Sequence, residues 1–98
     1  MLKTEFSSDI LEIANFAKAL SHPVRVYILK ELLDINAYCY SGDLVNEIPV
    51  GRSALSVHLK ELKNAGLIQG HIEAPYIKYC LHRENWEKAN NMYKELFK

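Results

Sequence analysis

Residues 52–68 run Arg52-Ser53-Ala54-Leu55-Ser56-Val57-His58-Leu59-Lys60-Glu61-Leu62-Lys63-Asn64-Ala65-Gly66-Leu67-Ile68. Leu55, Leu59, Leu62 and Gly66 recur at three- and four-residue steps and share one narrow stripe of a helical wheel. That spacing predicts a helix from about Arg52 to Ala65 with the leucine stripe buried. Gly66 is its stop signal, because glycine takes the left-handed conformation that ends helices. Ser53, Ser56, Val57, Lys60 and Asn64 point the other way, Arg52 and Lys63 lie on one flank, and His58 sits near the core edge. The outward residues of the first two turns, Ser53, Ala54 and Ser56 among them, are small or short, so the backbone of such a helix can approach base edges closely. Lys60 and Lys63 further along can meet phosphates, and Arg52 can pair bidentately with a guanine.

Working upstream, Pro49-Val50-Gly51 is a tight turn. Before it, Ser41-Gly42-Asp43 starts a short helix carrying Leu44, Val45 and Ile48, which Pro49 stops. Short helix, glycine-bearing turn and longer helix outline a helix-turn-helix over about 41–66. Downstream, Leu67–Ile72 and Tyr76–Leu81 are β-rich runs joined by Glu73-Ala74-Pro75. They read as an antiparallel hairpin with Ile77, Tyr79 and Leu81 on one face and Tyr76, Lys78 and Cys80 on the other. A first helix is expected from about Ser8 to Leu20, with Ser7, Ser8 and Asp9 as caps and Ile10, Ile13, Ala17 and Leu20 inward. A second runs from Pro23 to about Asp34 with Val24, Ile28, Leu29, Leu32 and Leu33 inward. A last one covers about Glu84 to Phe97, where Trp86, Ala89, Tyr93, Leu96 and Phe97 recur at helical steps. The fold class is mainly α with a small β-hairpin: five helices and two strands in a single domain over residues 8–98.

Ninety-eight residues with 49% hydrophobic and 24% charged side chains suit one globular domain and exclude a large multi-layer enzyme. No apolar run is long enough to cross a bilayer, and Met1-Leu2-Lys3-Thr4-Glu5 is not the apolar stretch of a secretion signal, so a cytoplasmic chain without membrane contact is expected. The formal net charge is zero, which by itself argues against a nucleic-acid partner. The distribution argues for one: Val50–Arg83 holds five Lys/Arg against two Glu and three of the four histidines, while the remainder is acidic. Phosphates respond to the local patch rather than to the average. A polar helix face that is merely solvated is the plainer reading of any one helix. The turn before this helix and the hairpin after it favour the DNA-reading alternative. No Gly-rich phosphate loop, nucleophile–histidine pairing or metal-hydrolase motif occurs, so no enzyme is expected.

Ala19-Leu20-Ser21-His22-Pro23-Val24-Arg25-Val26-Tyr27-Ile28-Leu29 resembles the Ala-Leu-x-x-Pro-x-Arg-x-x-Ile-Leu opening of the ArsR-type (arsenical-resistance repressor) winged helix-turn-helix regulators. Ser56 to Ile68 resembles their recognition helix and the start of their wing, with Tyr79 and Leu81 in the returning strand. The match spans about Ile10 to Leu81. It implies a winged helix-turn-helix with a two-stranded wing over about 67–81, acting as a homodimer that binds an inverted-repeat DNA operator and represses transcription. First and last helices would form the dimer interface, the last over about 84–97. Phe6, Ile10, Phe16, Trp86, Tyr93 and Phe97, more aromatic and apolar surface than a small core needs, are the interface candidates.

The chain departs from that pattern in two places. The thiolate pair that metal-responsive members carry would fall at Tyr40 and Gly42, neither a soft ligand, and the last helix has no histidine. No metal site and no cofactor are expected. Cys80-Leu81-His82 is at most a half-site, and a redox switch between Cys39 and Cys80 needs their α-carbons within about 7 Å. The hairpin tip, Ala74-Pro75, also lacks the arginine that wings send into the minor groove, leaving Tyr76, Lys78 and His71 for any wing contact. Arg25 reads equally as a phosphate contact or as a salt-bridge partner. A winged helix used as a protein-interaction module without operator binding is the alternative function, favoured slightly by the zero net charge.

Overall fold

Ser7 starts the first helix: its Oγ accepts the Ile10 amide at 3.3 Å, in the capping geometry that satisfies an otherwise unpaired N–H. The computed structural model describes residues 5–35, 39–40, 48–73 and 75–98. Their elements are α1 (Ser8–Ala19), α2 (Pro23–Ile35), β1 (Cys39–Tyr40), α3 (Arg52–Asn64), β2 (Ile68–Glu73), β3 (Tyr76–Leu81) and α4 (Arg83–Leu96). Among the described residues there are thus four helices rather than five, because the short helix expected at about 41–48 falls outside them apart from Ile48. Pro23 opens α2, where its missing N–H costs nothing. His82 caps α4, its Nδ1 accepting from the Asn85 amide at 3.2 Å.

The leucine stripe is the centre of the core. Leu55, Leu59 and Leu62 are buried against Ile28, Leu29 and Leu32 of α2 and against Leu67, Ile68 and Leu81 at the root of the hairpin. Side chains buried this fully each contribute about 1.5–3 kcal/mol, so the stripe fixes which side of α3 faces outward. On α2, Leu33 departs from the expected inward set and stays exposed. On α1 the buried stripe is Phe16 and Ala19 rather than Ile10 and Ala17. Phe16, at 4% exposure, is consumed by the core and has no surface left for a partner. Trp86 and Tyr93 pack half-buried on the same core. Tyr93 Oη donates to Ile13 O at 3.1 Å and a Lys88–Glu12 ion pair adds a second tie, so α1 and α4 form one layer.

The hairpin register pairs Ile68 with Leu81 at the root and Ile72 with Ile77 towards the tip. A third strand joins it: Cys39 and Tyr40 pair antiparallel with Tyr79 and Lys78, giving a sheet of order β1-β3-β2 in place of the expected two strands. Two residues with no alternating pattern give no periodic signal, and only the partner strand makes them a strand. No helix among the described residues is long and apolar enough to cross a membrane.

Candidate nucleic-acid interface

Gly51 precedes α3 in an extended conformation and offers no side-chain cap, so the first amides of the helix are not consumed by one. Unpaired amides at a helix start attract anions. From there Arg52, Ser53, Ala54, Ser56, Val57, Lys60 and Lys63 are all exposed, and His58 is half-buried at the edge of the stripe. Ser53, Ser56, Lys60 and Lys63 follow each other at three- or four-residue steps, so they lie along one line of about 15 Å on a helix of thirteen residues. The structure therefore brings together the expected helix candidates as one continuous surface of small polar residues with cations beyond them.

The helix ends in a Schellman cap. Gly66 N–H donates to Lys63 O at 3.0 Å and Leu67 N–H to Leu62 O at 3.1 Å, with Gly66 at φ 83°. Leu67 O in turn accepts the His82 amide at 2.9 Å. Asn85 Nδ2 donates to Gly66 O at 2.8 Å, which fastens the start of α4 to the end of α3. Helix, wing and last helix meet at this corner, and Asn85 had no motif to mark it.

Wing candidates are placed less uniformly. His71 and Lys78 face each other across the register, His71 exposed and Lys78 half-buried, and each has an interaction partner of its own. The side chain of Tyr76 lies outside the described set. Among the described side chains near the tip, Ile72 is 83% exposed and Ile77 37%.

Arg25 is held by two other segments of the fold. Its Nε donates to His58 Nδ1 at 3.1 Å and its Nη1 to Lys18 O at 3.3 Å, so its partners are a neutral ring and a carbonyl rather than a carboxylate. The His22 ring lies 4.2 Å from that of His58 at 46°. Burial first, then the charges of His22 and Arg25, hold His58 below its ordinary pKa. The Arg25–His58 contact spans 33 residues, and no local spacing announces it.

His82 Nδ1 is engaged as the α4 cap, while Cys80 Sγ lies 4.0 Å from Gln69 Oε1 on β2. Burial pushes the Cys80 thiol up, against a smaller opposite pull from Arg83, so less of it is the reactive thiolate. The backbone pairs Cys39 with Tyr79. No group of three His, Cys, Asp or Glu side chains among the described residues converges on a point where a metal ion would fit.

Comparison with known proteins agrees with this geometry. The profile described as bacterial regulatory protein, arsR family, matches residues 22–69. The HTH-type transcriptional regulator CmtR of Mycobacterium bovis is 36% identical over 89 residues, covering 91% of this chain and 72% of its own. The biofilm growth-associated repressor of Xylella fastidiosa is 30% identical over 81 residues, covering 83% and 69%. Among solved structures, an ArsR-like transcriptional regulator from Rhodococcus sp. RHA1 superimposes with a TM-score of 0.77 at 27% identity, covering 92% of this chain and 83% of that one. HlyU from Vibrio cholerae gives 0.72 at 27% identity, covering 90% and 98%.

Proposed function

The chain belongs to the arsR family of bacterial regulatory proteins and is a helix-turn-helix DNA-binding transcriptional regulator; from that premise we propose that it is a homodimeric repressor reading an inverted-repeat operator through α3. The observation that carries this reading is the two-faced α3. Its leucine stripe is buried while Arg52, Ser53, Ser56, Val57, Lys60 and Lys63 are exposed away from it. Ser53, Ala54, Ser56 and Val57 enter the major groove, where hydroxyls reach base or phosphate acceptors and Val57 meets a thymine methyl. Arg52 at the helix start and Lys60 and Lys63 towards its end take base and phosphate contacts. The wing adds His71, Tyr76 and Lys78, a smaller contribution than an arginine-tipped wing would make.

Two copies are needed because one helix of this length reads only a few base pairs. A two-fold dimer sets its reading helices about 34–36 Å apart, one turn of DNA. Exposed apolar groups at the start of α1 and the end of α4, Phe6, Ile10, Leu11, Leu96 and Phe97, supply the interface. With Phe16 in the core and Trp86 and Tyr93 packed on it, the interface rests on these outer residues. The names of the relatives support repression as the mode of action.

Ser56→Glu is the test. It sets a carboxylate where phosphate and base acceptors approach, at an exposed position that burial does not constrain. Affinity for duplex DNA from its own promoter region, followed by fluorescence anisotropy, is expected to fall at least about 100-fold with unchanged circular dichroism. Wild-type affinity should also drop steeply with salt, since phosphate contacts release counterions. Equal affinity in the variant would remove α3 as the reading face. A wild-type protein that shifts no duplex at any salt would assign that face to a protein partner.

A further inference from the structure

Three segments converge on one residue of the reading helix. Arg25 of α2 donates its Nε proton to His58 Nδ1 at 3.1 Å. The same guanidinium reaches back through Nη1 to Lys18 O, at the end of α1, at 3.3 Å. Ser21 Oγ donates to that carbonyl at 2.6 Å. From the turn between the helices, His22 lays its ring 4.2 Å from the His58 ring, and its own Nδ1 accepts the Val24 amide at 3.1 Å, which fixes the ring at the start of α2. Apart from the Asn85–Gly66 hydrogen bond at its far end, α3 is otherwise held by its apolar leucine stripe, which resists withdrawal but has little directional preference. The His58 contact is directional.

Arginine can only donate, so His58 Nδ1 must carry a lone pair and the ring proton must sit on Nε2. Protonating Nδ1 turns the acceptor into a donor aimed at another donor and adds a charge beside a guanidinium. We infer that Arg25 and His22 are positioning residues that latch the reading helix through a neutral His58, so that protonation of His58 releases α3 and weakens operator binding. The inference rests on the assignment of α3 as the DNA-reading helix.

The groups facing His58 favour this behaviour. Arg25 from α2 and His22 from the turn both act against its charged form, as does burial. α1 contributes the Lys18 carbonyl to the guanidinium rather than a carboxylate to the ring. Glu61, one turn along α3, lines a polar groove with Asn15 and Lys18 of α1. The sign follows from the lowered pKa: the folded protein holds fewer protons on His58 than the unfolded chain does, so stability falls as pH drops through the ordinary histidine value. The loss is complete once the folded pKa is passed. Ordinary phosphate electrostatics has the opposite sign, because histidines that gain charge in acid strengthen binding to DNA. Weakening on acidification therefore identifies the latch.

The test uses the full chain labelled with ¹⁵N and a duplex selected from a random-sequence pool by binding at neutral pH. Imidazole NMR is expected to show His58 as the Nε2–H tautomer at about pH 7.5 and to place its titration below the ordinary value. Arg25→Ala should move that titration upward, and Arg25→Lys, which keeps a donor, should restore part of the shift. Operator affinity should weaken about tenfold between about pH 7.5 and pH 5.5, the scale of a lost hydrogen bond to a charged group. His58→Asn keeps an acceptor for Arg25 and cannot titrate, so its affinity, whatever its absolute level, should lose this pH step. His82, a second ring whose Nδ1 accepts a backbone amide, reports separately in the same spectra. An Nδ1–H tautomer at His58, a titration indifferent to Arg25→Ala, or a pH step surviving in His58→Asn would each overturn the latch. A latch intact by NMR in a protein that binds no selected duplex would instead overturn the assignment of α3.

Discussion

Gly66 carries two constraints at one α-carbon. Its φ of 83° is a conformation that costs other residues about 1–2 kcal/mol, and a Cβ built there would lie 2.8 Å from Asn85 Nδ2. Gly66→Ala is therefore expected to destabilise the chain by about 1–3 kcal/mol, read as a lower urea midpoint. The two causes can be separated. Adding Asn85→Ala removes the clash but leaves the strained φ, so the double variant should be more stable than the sum of the single losses implies. The glycine was legible in the sequence as a helix stop because helix ends have a local chemistry. Asn85, 19 residues away, was not, since an asparagine near a helix start has many other uses. Arg25 and His58 make the same point over 33 residues: the sequence shows a cation and an imidazole, and only the folded chain shows a donor on an acceptor.

At the level of the element, the wing changes character along its length. Ile68, paired with Leu81, is 2% exposed at the root, whereas Ile72, paired with Ile77, stands in solvent near the tip. The same substitution on the same strand should therefore have opposite consequences. Ile68→Ala is expected to cost about 2–5 kcal/mol through lost burial and the cavity left behind. Ile72→Ala should stay within about 0.5 kcal/mol. Chemical denaturation of the two variants side by side checks the contrast, and equal losses would mean that the tip packs on something. Both strands were visible as β-rich runs with alternating faces. Their burial gradient was not, because alternation says which face a residue takes and nothing about how far the core extends beneath it. α3 was the most legible element of all, its stripe, polar line and stop signal agreeing with one another.

For the whole molecule, Phe6, Ile10, Leu11, Leu96 and Phe97 form one exposed apolar group at the beginning of α1 and the end of α4, helices that Tyr93 and Lys88 hold together as one layer. Charging that surface should separate the two copies of the proposed dimer without unfolding either. Leu11→Asp combined with Phe97→Asp is expected to give a monomer in sedimentation velocity with native circular dichroism. Losing the second half-site should then weaken operator binding about 100-fold or more. A variant that stays dimeric would place the interface elsewhere. The sequence shows a surplus of aromatic and apolar residues on the first and last helices. It could not divide that surplus between the core and the outside: Phe16 went in, while Leu11, not singled out, stayed out. Composition counts apolar area, and only packing assigns it.

The corner at Gly66 and Leu67 also limits how a chain of this kind can vary in length. Leu67 gives its amide to Leu62 at the end of the reading helix and its carbonyl to His82 at the start of the last one, so both of its backbone groups are committed across the corner. One residue inserted between 62 and 67 would break that pairing and turn the wing to a new azimuth around the helix axis, since each residue of a helix advances the chain by about a hundred degrees. The wing can be lengthened at its tip, where Pro75 lies exposed in a turn, but not at its root. Insertions and deletions among proteins built on this corner should therefore collect at the tip and leave the five-residue step from Leu62 to Leu67 unchanged in length.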